Sequence, residues 1–303
     1  MIDTSLRLRG RALTAADAGW AVPLLKSRGF DGCELTFATL FLWRDFYHNE
    51  LVEADGCLFI RSRDPHDPGA ISFSAPLKGD LQTAIPALRQ YARATGRPLT
   101  LYGSRRNLTD ELERLFPGEF ALIPSPEDFD YVYKAEDLRD LSGRRYHGKR
   151  GHIAAFSKRY DWRYEPVDDG NLSEVLAAAD AWYAAHRPLD ASLAAEQNGL
   201  RDLLRLRQKL DVRAGLIRVD GNVVAFTCGA PVSDEEFDVL IEKALPDYAD
   251  AYPVINRKFV AHELNGFRYV NRENDMGLDG LRQAKLSYHP DHLIEKFVCV
   301  DRG

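Results

Sequence analysis

The chain has 303 residues, of which 45% are apolar and 28% charged, and a formal net charge of −6. That balance is ordinary for a soluble globular protein and exerts no global pull on nucleic acid or anionic membrane, so any such binding needs a local patch. The length accommodates two domains of about 150 residues each, and no run approaches the ~20 apolar residues of a membrane span.

The start, MIDTSLRLRGR, has no apolar core of signal-peptide length. Cys33, Cys57, Cys228 and Cys299 are far apart and sit beside apolar residues, as buried reduced thiols do. The expected location is the cytoplasm.

In chain order, residues 13–28 predict a helix with Thr14 and Asp17 suited to its first turn, and 35–47 a second with Phe37, Leu40, Phe41 and Arg44 at helical spacing. ELVEADGCLFIRS predicts a hairpin turning at Asp55-Gly56. ISFSAP follows as a strand, 80–94 as a helix and 98–102 as a strand. A short helix near 108–116 and strands near Phe120 and 130–133 close the first half.

The second half repeats this order. Residues 162–167 are extended, and 171–187 predict a helix started by Asn171 and Glu174 and stopped by Pro188. A helix over 192–210 precedes a hairpin around Asp220-Gly221 and a strand over 237–244. A helix over 253–264 ended by Gly266, a strand over 268–271, a helix over 278–288 and a strand over 293–300 complete it. Strict alternation in 237–244 puts Phe237, Val239 and Ile241 on one face and Asp238, Leu240 and Glu242 on the other.

Two segments carry unusual chemistry. YVNRENDMGLDGLRQAKLSYHP (269–290) gathers Arg272, Glu273, Asp275, Arg282, Lys285 and Tyr288 just after a predicted strand, where ligands of mixed α/β folds sit. Lys285 lies three residues from both Arg282 and Tyr288, so one helix face can carry all three. SGRRYHGKRGHIAAFSKRYDWR (142–163) sets seven cations against Asp161 alone, with aromatic residues interleaved. A helix carrying Arg144, Arg145, Lys149 and Arg150 in that way suits phosphates and unpaired bases, such as a tRNA acceptor end. His147 and His152 are five apart, and His289 and His292 have no third ligand nearby, so no metal is expected.

NREND…GLDGLRQAKLSYHP, DYVYKAEDLRDLSGRRYHGKRGHIAAF (130–156) and IEKA (241–244) resemble an uncharacterised bacterial family related to the catalytic domain of phosphatidylglycerol lysyltransferase. These segments span most of 130–300; the first half matches by length and element order. The GL…K…Y pattern is more distantly similar to the Fem peptidyltransferases. The resemblance implies an α/β (α+β) protein with the acetyltransferase-like (acyl-CoA N-acyltransferase) fold in tandem. It divides into mixed-sheet domains over 1–134 and 135–303, with the chemistry in the second.

The better-known relatives pass an aminoacyl group from tRNA to an amine or hydroxyl. The resemblance therefore implies aminoacyl-tRNA as co-substrate and a small-molecule or lipid-headgroup acceptor, with no resident cofactor. Acyl-CoA is the alternative donor, and a binding module that has lost the chemistry is a further alternative. In coenzyme-A-dependent relatives a basic, glycine-rich turn occupies the position of LPDYADAY (245–252). Here Asp247 and Asp250 replace it and suit an ammonium group instead. Glu273 or Asp275 is expected as the base, and Lys285, with Arg282, as the clamp on an oxyanion or phosphate. Tyr288 is expected to protonate the leaving oxygen, with Arg272, Glu242 and Asn256 placed to hold substrate.

Overall fold

The computed structural model describes residues 8, 10–67 and 69–303. Among these residues the strands form two seven-stranded sheets. The first contains, in spatial order, β1 (Gly10–Ala12), β2 (Glu50–Ala54), β3 (Cys57–Arg63), β4 (Ile71–Phe73) and β5 (Thr100–Ser104). β6 (Phe120–Pro124) forms its far edge. The second contains β8 (Trp162–Pro166), β9 (Arg213–Val219), β10 (Asn222–Pro231), β11 (Glu236–Ala244) and β12 (Tyr269–Asn271).

Two strands are exchanged between the halves. β7 (Asp130–Lys134) lies between β12 and the edge strand β13 (His292–Ile294) of the second sheet, whereas β14 (Lys296–Asp301) lies between β5 and β6 of the first. The expected domains 1–134 and 135–303 therefore each hold a strand of the other's sheet. The strand expected over 293–300 breaks at Glu295, and its two pieces enter different sheets. With this exchange the two sheets share one pattern. Every neighbouring pair is antiparallel except β4–β5 in the first and β11–β12 in the second. This is the acetyltransferase-like fold in tandem.

The helices follow from that pattern. α1 (Ala18–Arg28) and α2 (Phe37–Leu42) precede the first hairpin, and α7 (Leu172–Ala185) and α8 (Ala191–Arg205) precede the second. A parallel pair needs a crossover. α3 (Leu81–Thr95) links β4 to β5, and α9 (Ala251–Glu263) links β11 to β12. Asp80 accepts from the Thr83 amide at 2.8 Å to start α3, and Gly96 ends it in the left-handed region. α4 (Asp110–Leu115) precedes β6, while α5 (Ala135–Asp140) and α6 (His147–Arg159) lead from β7 to β8. α10 (Asp279–Leu286) links β12 to β13 and has no buried residue.

Both hairpins turn where expected. Asp55-Gly56 and Asp220-Gly221 all have positive φ, as the two-residue turn requires. The largest core cluster runs from Phe59 and Leu101 of the first sheet through Leu203 of α8 to Leu216 and Leu240 of the second. Gly199 lets α8 come against α2, because a Cβ there would collide with the Leu42 carbonyl. The two halves thus share one interior. No described helix is long and apolar enough to cross a membrane.

Candidate functional site

β11 and β12 pair over only three positions, Glu236–Asp238 with Tyr269–Asn271. β11 then runs on to Ala244 while the chain beyond Asn271 turns away. The second sheet opens at that point, and Glu242, Arg272, Glu273 and Lys285 lie around the opening.

Alternation in β11 does not run as the sequence predicts. Cys228 pairs with Ile241 but Gly229 pairs with Val239, which leaves Leu240 as an extra residue. Such a bulge reverses the in–out alternation beyond it. Phe237 and Val239 pack on Phe259 of α9, and after the bulge it is Glu242 that turns to α9. Ile241 falls instead within the large core cluster, with Val175 and Ala178 of α7, and Lys243 joins Trp182 and Glu196.

Glu242 is consequently held on both oxygens. Arg272 Nη2 donates to Oε1 at 2.9 Å and Asn256 Nδ2 to Oε2 at 3.0 Å. The Arg272 guanidinium lies 4.7 Å from the Tyr288 ring centroid, and Lys149 Nζ lies 3.9 Å from the same centroid. Burial opposes the charge on Arg272, and the Glu242 carboxylate together with Tyr288 and Tyr133 outweighs it, so its pKa is raised. Lys243, the other cation adjacent to Glu242 in sequence, pairs with Glu196 at 2.8 Å.

Lys285 and Glu273 face one another electrostatically across the opening. Lys285 Nζ donates to the Arg272 carbonyl oxygen. Burial and then the Arg272 charge bring its pKa down to about 8. The Glu273 carboxylate makes no hydrogen bond with the described residues. Burial and then the Asp130 charge push it up to about 8, against the pull of Lys285 and Lys296. Tyr288 is buried, and burial raises its phenol, keeping it protonated. A protonatable carboxylate without a fixed partner beside an ammonium of similar pKa can exchange a proton with a bound group and stabilise a nearby negative oxygen.

Asp275 is differently employed. Fully buried, it accepts from Tyr131 Oη at 2.7 Å, Arg282 Nε at 2.8 Å and the Gly277 amide at 2.9 Å. Burial works against its charge, yet those donors hold its pKa below the ordinary value. Asp275 and Arg282 thus pin the loop before α10, and of the two expected bases only Glu273 has a carboxylate without a hydrogen-bond donor among the described residues. Asp247 and Asp250 are exposed; Asp250 lies 3.2 Å from His152, and neither bonds Glu242, Arg272 or Lys285.

The four cations expected to meet phosphates divide. Arg144 is exposed, and Arg145 pairs with Asp137 at 2.8 Å. Lys149 turns inward over Tyr288, and burial and then Arg272 lower its pKa. Arg150 donates to the Leu141 and Gly143 carbonyls and so closes the turn before α6.

Sequence reading missed a buried polar cluster beneath the opening. Lys296 Nζ lies 2.7 Å from Asp130, 3.1 Å from Glu34 and 3.3 Å from Cys33 Sγ. Cys33, Glu34 and Asp130 would suit a metal ion, and the Lys296 ammonium stands within bonding distance of all three. Asp238 and Glu236 lie nearby; burial raises both, Glu236 to about 7. The available signals were single charges in apolar strands, Asp130 before YVY and Lys296 before FVCV.

Known proteins carry the same architecture. A conserved protein of unknown function from Bacteroides thetaiotaomicron is 28% identical, with a TM-score of 0.89 over 98% of this chain and 100% of that one. L-PGS from Bacillus licheniformis is 13% identical, with a TM-score of 0.66 over 98% and 95% of the two chains. FemX is also 13% identical, with a TM-score of 0.59 over 96% and 97%. These last two likenesses show the fold. No curated protein sequence gives a significant match. The sequence profile described as phosphatidylglycerol lysyltransferase, C-terminal, matches residues 26–300, which takes in the second sheet, the first apart from β1 and the last residue of β14, and the whole opening between β11 and β12. The chain is a member of that acyltransferase-type family.

Proposed function

We propose that the protein transfers an aminoacyl group from aminoacyl-tRNA to an amine or hydroxyl acceptor. The observation that carries this reading is the half-buried pair Glu273 and Lys285, both near pKa 8, at the opening of the second sheet. Glu273 takes the proton of the acceptor as its nitrogen or oxygen bonds the ester carbonyl carbon. Lys285 holds the oxygen that becomes negative. The carbon–oxygen bond to the ribose then breaks, and the departing oxygen receives a proton from Glu273 or from Tyr288, which burial keeps protonated.

Arg272 is fixed by Glu242, which Asn256 holds in turn, and forms one wall of the opening, with Tyr288 against it. Arg144 and Arg145, on the turn leading into α6, are the exposed members of the set Arg144, Arg145, Lys149 and Arg150 and suit the phosphates of a tRNA acceptor end. Exposed Asp247 and Asp250 precede α9 and are available to a cationic acceptor. The fold, shared with L-PGS and FemX, supports the class of reaction. No resident cofactor enters this scheme.

The test is a paired assay, with labelled aminoacyl-tRNA mixtures in one arm and acetyl-CoA with an amine panel in the other. Label leaving tRNA faster than the uncatalysed rate, and lost in Glu273→Gln, supports the proposal. Turnover of acetyl-CoA alone would replace it with acyl-CoA-dependent N-acyl transfer, and inactivity in both arms with intact tRNA binding would mark a binding module.

A further inference from the structure

Glu273 has a left-handed backbone, with φ of +57°. For a residue with a Cβ that conformation is unfavourable, so its surroundings must impose it. Two bonds do so. The Glu273 amide donates to Asn271 Oδ1 at 2.8 Å, and its carbonyl accepts from the Tyr131 amide at 3.2 Å.

Asn271 is itself fully buried and held from the other side. Its Nδ2 donates to Asp130 Oδ2 at 2.9 Å and lies 3.2 Å from Glu236 Oε1. Asp130 also accepts from the Cys33 amide at 2.9 Å and from Lys296 Nζ at 2.7 Å. Asp130 opens β7 and Lys296 opens β14, the two exchanged strands. A hydrogen-bonded chain therefore runs from the first sheet through Lys296, Asp130 and Asn271 to the Glu273 backbone.

We propose that Asn271, oriented by the Asp130–Lys296 pair, is the positioning residue of Glu273, which makes the strand exchange a working part of the site. This inference rests on Glu273 as the base. Any polar bond could close a turn, but this one ends at the residue whose carboxylate lies free. It also brings Asp130, the largest charge influence on that carboxylate, to a fixed place. The other groups that act on Glu273 or feel its charge include Asp238 of β11, Glu196 of α8, Lys285 of α10, Lys296, Tyr47 and the buried thiols Cys33 and Cys228.

The experiment reads Glu273 directly, by carbon-13 NMR titration of side-chain carboxyl groups, with Glu273→Gln identifying the signal. In the wild-type chain the midpoint is expected near 8. In Asn271→Ala the carboxyl should relax toward solvent, and its midpoint fall by about one pH unit or more. An unchanged midpoint in a folded Asn271→Ala protein would overturn the positioning role. Should that variant not fold, Asn271→Leu, close to Asn in size and without its hydrogen bonds, takes its place and leaves the Asp130 and Lys296 charges in the protein. The same fall is expected there, and an unchanged midpoint again overturns the inference. A wild-type midpoint in the ordinary carboxylate range would instead sink Glu273 as the base, so the two failures are distinguishable.

Discussion

Glu242 meets Arg272 at 2.9 Å because Leu240 is an unpaired extra residue in β11. Without that bulge Glu242 would point toward α7, and Arg272 would be a buried cation without a partner.

Removing the carboxylate should therefore be severe. Glu242→Ala is expected to cost about 3–5 kcal/mol, since it strands a guanidinium whose side chain is only 14% exposed. Glu242→Gln combined with Arg272→Met should lie close to the wild type in stability. Urea denaturation of both proteins checks this, and a loss under about 1 kcal/mol in Glu242→Ala would show that Arg272 is compensated elsewhere.

Lys285→Ala should have the opposite profile. α10 buries no side chain, and its anchors are Arg282 on Asp275 and the backbone carbonyl of residue 285 on Tyr133, which survive the change. The melting temperature should hardly move, while kcat falls by about 10²–10³, the usual loss for one oxyanion donor. Near-normal turnover with a lower melting temperature would make Lys285 a structural residue.

In the proposed reaction the active ionic form is a charged Glu273 beside a charged Lys285. Both groups titrate near 8, so the pair should lose its protons in two coupled steps around that pH. The rate of acyl transfer should follow a narrow bell centred near pH 8. A rate that is flat between pH 6 and about 10 would contradict this assignment.

Stability should respond to the same carboxyl. Between about pH 4.5 and 8 the folded chain keeps the Glu273 proton and the unfolded chain loses it, so the folded state binds more protons and stability falls as pH rises. Glu236, raised to about 7, adds to the slope over its own range. Glu273→Gln should flatten part of that slope and melt higher than wild type at pH 8. Identical melting curves across this range would show an ordinary carboxyl.

The basic segment should separate by residue. Arg144→Gln with Arg145→Gln should weaken tRNA binding and lower the log–log salt slope by roughly 0.7–0.9 per lost phosphate contact. Arg150→Gln should instead destabilise the turn whose carbonyls it holds, with little change in slope. Salt titrations of tRNA affinity check both, and an unchanged slope in the double variant would remove this surface from the proposal.

Local patterns made much of this molecule legible. Asp55-Gly56 and Asp220-Gly221 dictate two hairpins because few residue pairs accept positive φ twice. The spacing of apolar residues and the Gly and Pro stops locate most helices, and the order of elements gives the tandem arrangement. The same local logic picks out Arg272, Glu273 and Lys285, because so many charges seldom crowd a strand end without a use.

What the tertiary structure alone decided depends on one-residue shifts and long-range partners. A single extra residue at Leu240 turns Glu242 from one face of its sheet to the other, and bulges leave no compositional trace. Glu273 and Asp275 are two residues apart and chemically alike, yet three donors fix one and, among the described residues, none binds the carboxylate of the other. Asp130 and Lys296 are separated by 166 positions in the chain and meet at 2.7 Å only because β7 and β14 change sheets. The sequence determined which charged groups would be present at the opening; burial and strand pairing determined which of them would keep a free carboxylate.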